Sequence, residues 1–180
     1  MKQIDRIRVG VRPARPGDVP VLYRMKQALT RDEGNEAVLR ASERDWARDG
    51  FGPDARFRIF VAEVDGAIVA MVTYSEVYLT ALGGTVFSIQ DLYVEPAWRR
   101  HGFGRALLAQ VATAAIEHGI PLIQLNVIEG NTARKFYRRL GFQHLPECLT
   151  YVVGGKPMLA LALADDARRT VEPANVVNLP

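Results

Sequence analysis

Apolar and polar positions change period several times along this 180-residue chain, and each change marks an element. Residues 7–13 alternate and predict a strand that ends at Pro13. Pro16-Gly17-Asp18 is turn chemistry, with Asp18 placed to cap a helix carrying Val21, Leu22, Met25 and Leu29. A second helix is expected over residues 36–48, with Val38, Leu39 and Trp46, stopped by Gly50-Phe51-Gly52-Pro53. Two apolar runs, 58–64 and 67–74, flank Asp65-Gly66, the signature of a hairpin with a type I′ turn. Residues 85–94 predict the next strand, after Gly83-Gly84.

A helix bearing Phe103, Leu107, Leu108, Val111, Ala115 and Ile116 then runs to Gly119, with His118 near its C-terminus. Residues 121–127 are apolar apart from Gln124 and Asn126, so they predict a central strand parallel to its predecessor. Asn131 can cap a helix over 132–140, closed by Gly141. Residues 142–145, 149–153 and 157–163 predict the last strands, and the polar stretch 164–180 a weakly ordered tail. The expectation is one α/β (α+β) domain over 7–163, a mixed, mostly antiparallel sheet of six to seven strands with helices on both faces.

Composition narrows the function. Hydrophobic residues make up 48% and charged residues 24%, as in ordinary globular proteins. A net charge of +3 hints at an anionic ligand as easily as at nucleic acid, but no block of like charges marks a nucleic-acid tail, and no nucleic-acid partner is expected. The single cysteine, Cys148, excludes an internal disulfide framework, and His101, His118 and His144 lack metal-ligand spacing, so no metal is expected. Residues 1–8 lack the apolar core of a signal peptide, and no apolar run nears the roughly 20 residues that span a bilayer. A cytoplasmic protein with no membrane partner is the simplest expectation.

The chemistry concentrates between Ile89 and Leu108. Here an apolar strand passes through Pro96 into Arg99-Arg100-His101-Gly102-Phe103-Gly104 and a helix start. The first N–H groups of a helix have no intrahelical acceptor and its dipole favours an anion, so this reads as a phosphate cradle. It is not a dinucleotide fingerprint, because Leu107 stands where Gly or Ala is required. Nor is it a Walker A loop, because Gly104 is followed by Arg105-Ala106.

Arg99, Gly102 and Gly104 do fit another pattern: Gln or Arg, two residues, Gly, one residue, then Gly or Ala. With Asp91-Leu92-Tyr93-Val94-Glu95-Pro96 before it and Asn131 to Phe142 after it, the chain resembles the GNAT superfamily of N-acyltransferases. Asp49-Gly50-Phe51-Gly52, Tyr74, Tyr78 and Asp91-Leu92-Tyr93-Val94 are further similar to its spermidine/spermine and thialysine N-acetyltransferase branch.

The resemblance implies the GNAT fold, with a central parallel strand pair splayed in a V, and acetyl-CoA as acyl donor to a primary amine. It implies that the pyrophosphate sits on residues 100–105, helped by Arg99, Arg100 and Arg105, with His101, Gly102, Phe103 and Gly104 shaping the turn. Leu92, Tyr93 and Val94 would carry the pantetheine arm, one N–H of Tyr93 or Val94 would polarise the thioester carbonyl, and Asn131 would lie near the cofactor. Tyr137 matches the general acid for the departing thiolate. The branch has Glu before Asp on the strand, whereas this chain has Gln90-Asp91, and an amide cannot accept the proton. Asp91, which strand alternation would turn to the other face, and Glu76 on the neighbouring strand are the candidate bases, each equally suited to a salt bridge.

For the acceptor, Trp46, Tyr74, Gln90 and Asn126 are candidate lining residues, and Asp32, Glu33, Glu36, Glu43 and Asp45 could make an acidic pocket. A closed acidic pocket would suit a small amine, and an open groove a peptide acceptor. A non-catalytic acyl-CoA sensor is the reading from another class, kept open by Gln90. The family resemblance also carries the expectation of a homodimer.

Overall fold

Five strands form one sheet in chain order: β1 (Val9–Pro13), β2 (Arg58–Val64), β3 (Ala67–Leu79), β4 (Gly84–Val94) and β5 (Ile123–Leu125). This computed structural model describes residues 9–146, 150 and 153–164. The chain divides into two compact units, Met1–Phe136 and Tyr137–Pro180. The first holds the whole sheet with α1 (Val19–Asp32), α2 (Glu43–Asp49) and α3 (Phe103–Glu117). Helix α4 (Arg134–Arg139) follows β5, and α5 (Gly155–Ala164) lies in the second unit.

Neighbouring strands are antiparallel from β1 to β4, and β4 pairs with β5 in parallel. The β2–β3 hairpin has the expected turn, with Asp65 and Gly66 both at positive φ, 49° and 82°. Two bulges interrupt the pairing. The one that matters lies between β3 and β4, where Thr73 faces Asp91 but Tyr74 already faces Ile89, leaving Gln90 as the extra residue.

Register assigns the two sheet faces. Ile59, Val61, Met71 and Tyr93 pack with Val19, Leu22, Met25 and Trp46, so α1 and α2 cover that side. Leu92 and Val94, one position out of phase with Tyr93, lie against the start of α3 at Gly104. On that same side Tyr74 stacks on Phe60 (5.8 Å) and meets Phe87 (4.8 Å). Helix α3 buries Phe103, Leu107, Leu108, Val111, Ala114 and Ala115, most of the stripe its apolar spacing predicts, but Ile116, expected on that stripe, is 79% exposed in the last turn.

Several expectations are corrected. Among the described residues the sheet has five strands, not six to seven, and β5 is an edge strand of three residues rather than a central one. Residues 142–145 form no strand, and 149–153 lie largely outside the described residues. Residues 157–163 are helical within α5. Their Leu–Ala alternation imitates a strand period, but Met, Leu and Ala are strong helix formers with no β-branch among them. The helix expected over 36–48 is broken into a 3-10 turn, Glu36–Val38, and α2. Ser42 restarts the helix as a capping box, its backbone N–H donating to the Asp45 carboxylate at 2.8 Å. Asp18 does not cap α1 through its side chain; its carboxylate takes Arg12 (2.7 Å) and the Arg15 N–H (2.7 Å) instead. Among the described residues no helix is long and apolar enough to cross a membrane.

One buried ion pair ties α1 to the sheet: Lys26 Nζ reaches Asp91 Oδ1 at 2.5 Å. Asp91 is only 8% exposed, and its other oxygen accepts from the Thr73 hydroxyl at 2.9 Å. Removing one partner strands a buried charge. Lys26→Met is therefore expected to cost about 3 kcal/mol, read from urea midpoints at neutral pH, and adding Asp91→Asn should recover part of the loss.

Candidate active site

The site grows from the bulge. Phe87 sends its N–H to the Leu122 carbonyl (3.0 Å), and parallel pairing with β5 runs only from Phe87–Ile123 to Ile89–Leu125. Gln90 and Asn126 are the next positions on the two strands, both exposed, and beyond them β4 keeps, among the described residues, only β3 as a partner. Parallel pairing therefore ends before Gln90, and among the described residues it lies at the sheet's edge.

The bulge also inverts the strand's parity. Before it, odd-numbered residues turn their backbone groups towards β5. After it, the Glu95 N–H bonds to the Val69 carbonyl of β3 (2.9 Å), while the Val94 carbonyl, on the other side, accepts from Arg99 Nε (3.0 Å). A strand residue directs its N–H and C=O to the same side and its neighbours do the opposite. Leu92 and Val94 thus offer their backbone to the open edge, and Tyr93 is committed to β3. The Tyr93 side chain is likewise in the core, 4% exposed, and its phenol is held above its usual range by burial first and Glu95 next.

Side chains follow the same inversion. Asp91 shares a face with Thr73, and Gln90 donates from Nε2 to the hydroxyl of Ser75 (3.1 Å), which stands two residues beyond Thr73 on β3. Gln90 and Asp91 therefore lie on one face, contrary to the alternation expected of adjacent strand residues. Glu76 lies on the opposite face with Tyr74 and pairs loosely with Arg58 at 3.7 Å. The two carboxylates considered as bases thus face different ways. Trp46 and Tyr74 are buried, Trp46 in edge contact with Phe57 (5.4 Å) and Tyr74 among the rings on the α3 side, where burial raises its phenol.

Past Val94 the chain makes a 3-10 turn, Pro96–Trp98, and enters the cradle. Arg100 and Gly102 both sit in the left-handed region, at φ 67° and 87°. Among the described residues, the N–H groups of residues 100–105 have no backbone acceptor; the ladder of α3 begins with the Ala106 N–H on the Gly102 carbonyl at 3.0 Å. Successive unpaired N–H groups at a helix N-terminus make an anion site. Arg100 and Arg105 are exposed beside it. His101 bonds the Arg99 carbonyl (3.0 Å), and Trp98 packs edge-on against Phe103 (5.8 Å). Arg99 is engaged elsewhere: it pairs with Asp32 at the end of α1 (2.5 Å) and lies over the Tyr93 ring at 5.7 Å.

The two glycines serve different ends. Gly102 supplies the left-handed turn, and a Cβ there would stand in open space, with nothing within 4 Å. At Gly104 a Cβ would meet Phe136 at 3.3 Å and the side chains of Val94 and Leu92 at 3.8 and 3.9 Å, so its absence lets α3 settle on β4. Asn131 accepts from the Ala133 N–H at 2.8 Å, as a cap should. In the second unit, Tyr137 meets Phe142 edge-on (5.7 Å), and the Phe142 N–H returns to the Tyr137 carbonyl (3.1 Å), closed by Gly141 at φ 94°.

The Acetyltransferase (GNAT) family model matches residues 22–142. The chain belongs to the GNAT acetyltransferase family. It is accordingly an acetyl-CoA-dependent N-acetyltransferase, the enzyme class its motifs implied. This GNAT chain is 31% identical over 164 residues to a thialysine N-epsilon-acetyltransferase of Mus musculus, covering 84% of this chain and 96% of that protein. A thialysine N-epsilon-acetyltransferase of Sus scrofa is 30% identical over 146 residues, covering 76% and 85%. Among solved structures, an integron cassette protein from the mobile metagenome of V. cholerae superposes with a TM-score of 0.69 at 22% identity, covering 86% of this chain and 97% of that one. A metagenomic aminoglycoside acetyltransferase gives 0.67 at 17% identity, covering 81% and 96%. At those identities both show the fold alone.

Sequence reasoning does not single out Lys26, the ion-pair partner of Asp91. Its signal is faint: a lysine directly after Met25, on the edge of an apolar stripe. The glycines generate a test. Gly102→Ala forces an L-residue into the left-handed region, at about 1–2 kcal/mol, and should weaken CoA binding about tenfold by calorimetry. Gly104→Ala asks only the tip of Phe136 to shift and should change that affinity less than about threefold.

Proposed function

We propose that this enzyme transfers the acetyl group of acetyl-CoA to a primary amine of a small molecule, of the amino-acid or polyamine kind, by direct attack. The observation that carries the acceptor class is the near full-length likeness to relatives named thialysine N-epsilon-acetyltransferase, 31% identical in the mouse protein. In this reading the CoA pyrophosphate takes the unpaired N–H groups of residues 100–105, with Arg100 and Arg105 supplying positive potential. The pantetheine arm lies along the open edge of β4. The N–H groups of Leu92 and Val94 are the ones turned that way, and one of them polarises the thioester carbonyl. Such a donor is worth about 3 kcal/mol of barrier.

The neutral amine attacks the carbonyl carbon, the C–N bond forms, the C–S bond breaks, the thiolate leaves with a proton, and the extra proton of the nitrogen restores the acid that gave it. We assign the thiolate's proton to the Tyr137 hydroxyl on the strength of the motif that carries it, Asn131 to Phe142. A phenol near 10 and a thiol near 8.5 make the transfer feasible without a strong drive. Arg99, clamped between the Val94 carbonyl and Asp32, holds the end of β4 to the end of α1 and so steadies the reacting strand.

The deciding experiment follows free thiol release from acetyl-CoA across thialysine, lysine, spermidine and a peptide. Turnover should favour a small amine over the peptide by at least about tenfold, a difference of roughly 1.4 kcal/mol in barrier. A preference for the peptide would overturn the acceptor class. Tyr137→Phe should lower kcat about tenfold or more while CoA affinity stays nearly constant, and an unaltered kcat would remove Tyr137 from the mechanism.

A further inference from the structure

The proposed reaction leaves one step without an agent. An alkylamine near pKa 10 is almost wholly protonated at neutral pH, and freeing it costs about 4 kcal/mol. A base must therefore act, and it must have a lone pair to spare. Gln90, at the bulge, has no carboxylate. Asp91 is already occupied by Lys26 at 2.5 Å and Thr73 at 2.9 Å. Asp32 is taken by Arg99 at 2.5 Å, Glu95 accepts from the Tyr93 hydroxyl at 3.4 Å, and Glu76 lies across the sheet beside Arg58. Glu33 stands apart from these four: among the described residues no hydrogen bond or ion pair engages its carboxylate.

We propose that Glu33 is the general base of this enzyme, taking the proton of the acceptor ammonium directly or through one water. This rests on the amine-acetylation reading above. Glu33 follows Lys26 by two helical turns, so both project from the same side of α1, and Lys26 touches Asp91 beside the bulge. Asp32, its neighbour, is tied through Arg99 to the Val94 carbonyl at the other end of the open edge. Helix α1 is thereby held at both points against β4, and Glu33 follows the clamped Asp32 at its end.

The charges around it agree. Burial of the Glu33 carboxyl raises its pKa above the ordinary value of 4.5, Lys26 opposes that, and Asp91 of β4 and Asp32 raise it further. The residue as a whole is exposed, so solvent screens part of the effect and also gives the proton a way out. A carboxylate lifted in this direction is a better base towards an ammonium group. In balance, Glu33 carboxylate and ammonium become carboxylic acid and amine. The amine then attacks, CoA leaves as the thiol with a proton from its own acid, the second proton of the attacking nitrogen restores that acid, and Glu33 returns its proton to solvent.

The test is a pH profile of thiol release for the wild type, Glu33→Gln and Glu33→Asp, with CoA affinity measured alongside. Glu33→Gln is expected to lower kcat about a hundredfold at pH 7, leaving CoA affinity within about twofold. The deficit should shrink as pH rises towards the amine pKa, and the acid limb of the wild-type profile should vanish. Glu33→Asp should retain that limb. A wild-type profile in Glu33→Gln, or a loss equal at every pH, overturns the assignment while leaving the acetyltransferase reading intact. Absence of wild-type turnover with every amine would overturn the acceptor reading and this assignment with it.

Discussion

The buried pair between Lys26 and Asp91 is the constraint on which the reacting strand depends. Asp91 is almost out of solvent, and a carboxylate there needs a cation and a donor to offset its lost hydration; Lys26 and Thr73 supply them. Both come from the face covered by α1. Asp91 can reach that face beside Gln90 only because the bulge places two successive residues on one side. The ion pair and the bulge therefore require each other. An unbulged β4 continuing in phase from Ile89 would turn Asp91 towards α3, away from Lys26 and Thr73, and would carry Leu92 and Val94 to the opposite face.

What the bulge changes is backbone direction. Upstream of Gln90 the strand spends its outward N–H groups on β5; downstream it has the same outward groups and, among the described residues, no strand to receive them. Catalytic donors must be preorganised and unpaired before substrate arrives, a state that a regular sheet does not provide. Ending the β4–β5 ladder after three pairs produces it at little cost to the core, because the side chains of Leu92 and Val94 still pack against α3. The cradle repeats the device at a helix start, where Arg100 and Gly102 in left-handed conformations keep the N–H groups of residues 100–105 out of any ladder.

Much of this is legible in the sequence where local chemistry decides the outcome. The Asp65-Gly66 turn, the Asn131 cap and the Gly102 turn all form as local rules require, and so does the stripe of α3 apart from the exposed Ile116. The failures have physical reasons. Residues 157–163 alternate like a strand while their side chains favour a helix, and propensity prevails over period. A capping box at Ser42 splits a helix that apolar spacing alone runs together. Alternation puts Asp91 on the wrong face because it counts residues evenly, whereas a bulge adds one and depends on the partner strand. Lys26 is hidden for the same reason, since an ion pair across 65 positions leaves no local trace.

The same geometry bears on where a base can come from. A carboxylate at the Gln90 position would sit on the strand itself, directly where the β4–β5 pairing ends. This chain has an amide there, engaged with Ser75, and the next carboxylate along is locked by Lys26. A proton acceptor has to approach from another element, and on the Lys26 side of the sheet that element is α1. Its last turn is already fixed against β4, since Arg99 joins Asp32 to the Val94 carbonyl and the Tyr93 ring. A group adjacent to that clamp needs little further ordering to act, and side-chain entropy is the usual cost of recruiting a glutamate. In the proposed mechanism the strand supplies the donors for the carbonyl, and the helix end supplies the carboxylate for the amine.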